Sequence, residues 1–281
     1  MWVGRLDDLA EYRRRVAPLL EEDEVRHTVM LGVLDTLARE PDRYPGHALW
    51  LAAEGEEPLA AATRTPPFHV LVARPRSREP LVALAEEMHR QGADAPGVNG
   101  ARPEADWFAE AWRAATGCAL EDGMQLRLHA LERVEPVPAA PGMMRAAVAA
   151  DESHLVAWMA AFAEEAGIQG SDEQHTAMIR GGLDRPLGVV LWEDAGEPVS
   201  FAASRRTSAG IARVGPVYTP PERRRRGYAT ALVAGLTREL LAAGAERCLL
   251  YTDLANPTSN AIYRSIGYQP LLDAVEINFV T

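Results

Sequence analysis

Lysine is missing from all 281 residues, so every one of the 29 basic side chains is an arginine. Two chemistries drop out with it: a Schiff-base lysine for pyridoxal phosphate, and the lysine of a GxxxxGK[ST] phosphate loop. Cysteine is almost missing too. Cys118 and Cys248 stand far apart, with no CxxC or HxxxH neighbour, so no disulfide framework and no zinc site is indicated and both are expected as buried thiols. No apolar run approaches the ~18 residues that a spanning helix needs. The opening stretch MWVGRLDDLAEYRRR has acids where a secretory leader needs apolar residues, so a soluble, cytoplasmic protein is expected. Excess positive charge is lacking as well. A formal net charge of -11 argues against bulk binding to nucleic acid or to an anionic membrane, whose affinity comes largely from phosphate neutralisation.

What is present is enough apolar residue, 47%, to build one large core or two ordinary ones. The proline-rich stretch VEPVPAAPG (134–142) disfavours helix and removes backbone donors, which marks it as a linker. The same order of elements is expected on both sides of it. The first side reads as helices at about 6–20 and 23–39, strand HALWLAAE, turn GEEP, strands LAAATRT and FHVLVARP, then helix PLVALAEEMHRQG. The second reads as helices at about 151–166 and 172–181, strand LGVVLWED, turn AGEP, strands VSFAASRRT and IARVGPVYT, then helix GYATALVAGLTRELLAAG. Two copies of one α/β unit account for this order. Trp107 and Trp112 fall near one helical face and are expected in the core; the seven histidines show no paired spacing and no role is given to them.

The copies differ at one stretch. Where the second has TPPERRRRGYAT (219–230), the first has ARPRSREPLVAL, with no glycine to let backbone approach a ligand. Pro216 cannot donate a ladder hydrogen bond, so strand 211–219 should bulge or break at Gly215-Pro216 and the sheet should open there. The chain then enters a helix whose Ala229, Leu232, Val233, Leu236 and Leu240 share one face, stopped at Gly244. A helix N-terminus presents unpaired N–H groups and partial positive charge, and a preceding glycine lets the loop close around a pyrophosphate. The arginine run therefore reads as a phosphate cradle built mainly from main chain; the alternatives are a solvated basic face and a nucleic-acid patch through Arg223–Arg226.

These residues carry a resemblance. Arg224-x-x-Gly227-x-Ala229, after a strand and before a helix, resembles the R/Q-x-x-G-x-G/A signature of the GNAT superfamily of acyl-CoA-dependent N-acyltransferases. A second segment, CLLYTDLANPTSNAIYRSIGYQPL, begins as a strand (247–252) and signals a short helix with Asn256 as N-cap, Pro257 at its first position and Gly267 past its end. Its Asn256 and Tyr263 resemble the later family motif, in which an asparagine contacts the cofactor arm and a tyrosine lies near the thioester sulfur.

The resemblance implies an α/β fold of two tandem GNAT-like domains, each a mixed, mostly antiparallel sheet flanked by helices. It implies a degenerate domain over 1–135, without a cofactor motif, and a catalytic acyl-CoA-binding domain over 141–281. The pantetheine arm maps to Val217, Tyr218 and Thr219. The pyrophosphate maps to Arg224, Arg225, Arg226, Gly227, Tyr228, Ala229 and Thr230, and Asn256 completes the cofactor set. Tyr263 is the candidate acid, because a hydroxyl of pKa ~10 keeps its proton at neutral pH and a departing thiolate needs one.

The implied reaction is acetyl transfer from acetyl-CoA to a primary amine of a small molecule or peptide, by direct attack in a ternary complex. No metal, nucleic acid or membrane takes part. The acidic chain favours a cationic acceptor through steering. Many members of this superfamily place a carboxylate on or near the central strands, yet 211–219 has none. Asp253, Glu193, Asp194 or water alone is left as the base. The alternative function is a catalytically inactive CoA-binding regulatory or interaction module.

Overall fold

A computed structural model describes residues 1–168, 170–206 and 210–280. In chain order the first elements are β1 (Trp2–Leu6), α1 (Leu9–Leu20), α2 (Thr28–Arg39), β2 (Ala48–Glu54), β3 (Glu57–Arg64), β4 (Val70–Val72), α3 (Arg78–Arg90), β5 (Gly97–Ala101), α4 (Glu104–Thr116) and β6 (Ala119–Leu131). There follow β7 (Met143–Ala146), α5 (Glu152–Ala166), α6 (Asp172–Leu183), β8 (Val189–Asp194), β9 (Glu197–Arg206), β10 (Ile211–Tyr218), α7 (Tyr228–Ala242), β11 (Arg247–Asp253), α8 (Pro257–Ile266) and β12 (Gln269–Val280). The chain divides into two compact units, Met1–Arg127 with Leu272–Thr281, and Leu128–Leu271.

The first unit's strands run in the order β1-β2-β3-β4-β5-β12. All neighbours are antiparallel except β4 and β5. One face packs under α1 and α2 through Tyr12, Leu20, Leu34, Leu37, Leu49 and Leu51. The other packs under α3 and α4 through Trp50, Leu84, Met88, Phe108 and Trp112, with Trp107 partly buried beside them. Trp112 is a core residue, as the spacing predicts, and Trp107 lies at the margin of the core.

The second unit repeats the plan as β7-β8-β9-β10-β11 with β6 beside β11, and again only the β10/β11 pair is parallel among the first five. Helices α5 and α6 cover one face through Leu155, Met159, Ile179, Leu191 and Phe201. Helices α7 and α8 cover the other through Val190, Val214, Leu232, Leu236, Leu250 and Ile266. The hairpins read as GEEP and AGEP match in detail: the register shifts between Ala52 and Ala53 in one and between Trp192 and Glu193 in the other. Each unit is thus a mixed, mostly antiparallel sheet flanked by helices, as the resemblance implies.

Three features depart from the sequence reading. The helix expected from residue 6 is preceded by β1, which pairs with β2; Asp8 caps the helix by accepting from the N–H groups of Ala10 (2.7 Å) and Glu11 (3.2 Å). The helix expected from 23 begins at Thr28, after a short 3-10 turn at Glu21–Asp23. The proline-rich stretch 134–142 lies inside the second unit rather than at the division, with Val134 and Val137 packed on its core. Both cysteines are buried. Among the described residues, no helix is long and apolar enough to cross a membrane.

Candidate functional site

Parallel pairing of β10 with β11 holds at Ile211↔Arg247, Ala212↔Cys248 and Arg213↔Leu249 and goes no further. Both strands continue, so Val214–Tyr218 and Leu250–Asp253 run on without pairing to each other. The cause lies in Gly215-Pro216: the register of β10 against β9 shifts between Val214 and Val217, as the missing proline donor predicts. Beyond the shift Val217 faces Ala202 and Tyr218 faces Phe201. The end of β10 is then tied down by Ser200, whose hydroxyl donates to the Tyr218 carbonyl (2.9 Å) and shares a hydrogen bond with the Thr219 hydroxyl (2.8 Å).

The chain turns through a 3-10 segment at Pro221–Arg223 and reaches α7 by way of two left-handed residues, Arg225 (φ 62°) and Gly227 (φ 84°). A Cβ on Gly227 would meet only Ala140 Cβ, at an ordinary 3.6 Å, so backbone conformation rather than crowding calls for glycine. Gly227 is the N-cap and offers no side-chain acceptor; the first helical bond runs from Ala231 N–H to the Gly227 carbonyl at 3.0 Å. The N–H groups of Tyr228, Ala229 and Thr230 therefore stay available at the positive end of the helix. Arg225 and Arg226 are exposed, and among the described residues neither makes an ion pair.

Arg224 behaves differently. Its Nη2 donates to both carboxylate oxygens of Glu165 on α5 (2.8 and 2.6 Å), its Nε donates to the Thr219 carbonyl (2.8 Å), and its guanidinium lies 5.6 Å from the centre of the Tyr218 ring. The Tyr228 side chain turns inward, buried, and its hydroxyl donates to Asp194 Oδ2 at 2.5 Å.

At the other lip of the opening, Asn256 caps α8 by accepting from the Ser259 N–H (3.1 Å), which leaves its amide Nδ2 to offer to a ligand. Pro257 opens the helix and Gly267 closes it, as their positions predict. Tyr263 on α8 is half-buried, set edge-on to Tyr268 at 6.1 Å, and burial pushes its hydroxyl up to about 12. The brace beneath this lip has no signature in the local sequence. His129 Nε2 lies 3.1 Å from Thr252 Oγ1, Thr252 donates to Asn260 Oδ1 (2.7 Å), and Asn260 Nδ2 donates to the carbonyls of Asp253 (2.9 Å) and Asn256 (2.8 Å).

All three carboxylates considered as bases are engaged. Glu193 accepts from Arg145 Nε (2.6 Å), Asp194 from the Tyr228 hydroxyl, and Asp253 from the Ala255 N–H (2.8 Å). Their partners lie elsewhere in the chain or on the next turn, beyond what spacing reveals.

The corresponding place in the first unit is built differently. Its β4 is confined to Val70–Val72 and pairs with β5 at Val70↔Val98 and Leu71↔Asn99, and a Cβ on Gly100 of β5 would come within 2.7 Å of Val72 Cγ2, so a side chain fills the space beside the end of β4. The main-chain N–H just past β4, on Arg74, is taken by the buried His27: it donates to Nε2 at 2.9 Å while Nδ1 meets the Leu20 carbonyl at 3.0 Å. Two arginines of ARPRSREP are paired within the unit, Arg76 with Glu22 and Arg78 with Glu110.

An opened parallel strand pair beside an uncapped, glycine-entered helix, on a sheet plan that occurs twice, defines an acyltransferase-like α/β architecture. Residues 147–268 match the model of the Acetyltransferase (GNAT) family. Over whole chains, the protein is similar to an acetyltransferase of the GNAT family from Colwellia psychrerythraea (10% identity, 99% of each chain, TM-score 0.64). It is similar to a GCN5-related N-acetyltransferase from Sphaerobacter thermophilus (17% identity, 99% of this chain and 95% of that one, TM-score 0.66). It is also similar to a tandem GNAT protein from the clavulanic acid biosynthesis pathway (15% identity, 98% and 97%, TM-score 0.58). No curated protein matches the sequence. The match to the GNAT family model thus falls within the second unit, and the chain as a whole has the fold of two tandem GNAT-like domains.

Proposed function

We propose that the second unit transfers an acetyl group from acetyl-CoA to a primary amine of a small molecule or peptide, by direct attack in a ternary complex. The observation that carries this reading is the cradle at the mouth of α7. Left-handed Arg225 and Gly227 deliver a helix start whose first-turn N–H groups are uncapped, beside strands that have parted. Such a start suits a pyrophosphate, since its donors are main chain and its dipole favours an anion. The parted end of β10, Val217–Thr219, offers backbone groups to the pantetheine arm, and Asn256 Nδ2 offers a donor from the other lip. Arg225 and Arg226 add attraction for phosphates. Arg224 and Tyr228 enter the set through their main chain, because their side chains are committed to Glu165 and Asp194.

In the reaction the amine nitrogen attacks the thioester carbonyl, a C–N bond forms, the C–S bond breaks, and the nitrogen loses a proton while the thiolate gains one. Main-chain donors suit the transient oxyanion. Tyr263 is the acid: its hydroxyl is protonated at every working pH and faces a leaving group whose charge appears as the C–S bond breaks. With Glu193, Asp194 and Asp253 engaged, the amine proton passes to water, which favours acceptors already neutral near working pH. The first unit is proposed as a copy that binds no acyl-CoA, with Val72 filling the space beside Gly100 and its Arg74 N–H held by His27.

The test is amine-dependent release of free thiol from acetyl-CoA by the whole protein across a panel of primary amines. Release above the amine-free rate supports transfer. Tight CoA binding with no release by any amine would replace it with a CoA-binding module.

A further inference from the structure

We propose that Glu165 is a positioning residue of the cofactor loop: by gripping Arg224 it holds Thr219–Gly227 in the form that aims the first-turn N–H groups of α7. The inference rests on the proposed cofactor site. Glu165 stands one residue before the end of α5, a helix with no part in the acyl-CoA signature, and nothing in its sequence context singles it out.

Its position in the structure does. Both carboxylate oxygens accept from Arg224 Nη2, and Oε1 also accepts from the Tyr218 hydroxyl at 3.2 Å. Tyr218 is buried, its hydroxyl is pushed up by that burial and by the Glu165 charge, and its ring centre lies 5.6 Å from the Arg224 guanidinium and 6.3 Å from the Trp158 ring of α5. Arg224 in turn donates Nε to the Thr219 carbonyl. One guanidinium therefore joins the end of β10 to α5, and the next residue in the chain is Arg225, in the left-handed region where a non-glycine residue needs support. A planar guanidinium held at Nε by the Thr219 carbonyl, at Nη2 by Glu165 and over the Tyr218 ring has its orientation fixed, which a lone surface ion pair lacks.

The same contacts admit an opposite assignment, in which Arg224 is a phosphate ligand parked on Glu165 and released when cofactor arrives. The two differ in sign. If Glu165 positions the loop, Glu165→Gln weakens acyl-CoA; if Glu165 competes with phosphate for Arg224, the same change strengthens it.

The experiment is calorimetric titration of CoA and steady-state kinetics with acetyl-CoA, on the whole protein and its Glu165→Gln and Glu165→Arg/Arg224→Glu variants. We expect Glu165→Gln to raise Kd and KM for the donor about tenfold, as for loss of a charge-assisted hydrogen bond, with kcat little changed. The reversed pair should recover a good part of that loss, and amide hydrogen exchange over 219–230 should quicken in the single variant without a change in the unfolding midpoint. An unchanged or lower Kd in Glu165→Gln overturns the positioning role while leaving the cofactor site standing. No recovery in the reversed pair, with both variants folded, overturns it as well. No CoA binding by the parent protein would overturn the cofactor site and this inference together.

Discussion

The Tyr263 hydroxyl, pushed up to about 12 by burial, bears directly on how the rate should depend on pH. An exposed tyrosine would lose its proton near ~10 and with it its use as an acid; Tyr263 keeps it, so kcat should rise as the amine acceptor deprotonates and show no falling limb near 10. Tyr263→Phe removes the proton altogether and should lower kcat roughly 100-fold, in the range of general-acid effects, with acetyl-CoA KM little moved. Unchanged kcat in that variant would remove Tyr263 as the acid. A different residue governs stability. His27 is held neutral, since its Nε2 accepts the Arg74 N–H, and its pKa is lowered by burial first, with Arg26 and Arg74 acting in the same direction against the Leu20 carbonyl and Asp23. A lowered histidine pKa gives stability that is full above the unfolded value near ~6.5 and is lost as pH falls through the folded value. The unfolding midpoint should therefore drop as pH is taken from 7 towards about 5, before the paired carboxylates Glu22 and Asp151 begin to protonate. His27→Gln should flatten that drop; an unflattened profile would acquit His27. Of these residues Tyr263 was legible from its spacing to Asn256 and Gly267, whereas His27 was not, because its partners are backbone atoms brought to it by the fold. The same reason hid the engagement of Arg224, Glu193 and Asp194: each partner is distant in sequence, at Glu165, Arg145 and Tyr228.

Elements announced by punctuation were the ones read from sequence. Gly215-Pro216 gave away the opening of β10, and Asn256, Pro257 and Gly267 gave away both ends of α8. Some strands escaped: β1 is followed so closely by the Asp8 cap that the two read as one helix, and β5, β6, β7 and β12 adjoin glycine- or proline-bearing stretches that read as loop. Two tests belong to the elements that frame the opening. Gly227→Ala places a Cβ on a backbone with φ 84° and should cost about 1 kcal/mol in denaturant unfolding while weakening CoA, because the start of α7 must shift to relieve it. On the facing lip, Asn260→Ala removes the side-chain bonds that join the Thr252 hydroxyl to the Asp253 and Asn256 carbonyls, each of which keeps another partner, and should destabilise by about 1 kcal/mol. An Asn260→Ala protein as stable as its parent would show that the brace from His129 contributes nothing.

At the scale of the whole molecule the repeat was visible because the two hairpins share a turn and the strand order recurs, down to an equivalent shift of register. The division was less visible. The proline-rich stretch 134–142 drew the boundary to itself, yet it packs on the second core, and residues 272–280 of the last strand belong to the first unit. Two similar units with unlike clefts predict one acyl-CoA per chain, and calorimetric titration of acetyl-CoA into the whole protein, alongside Gly227→Glu, measures this most directly. A single site is expected in the parent and none in the variant, with both proteins folded. Two sites in the parent, or binding that survives Gly227→Glu, would contradict it.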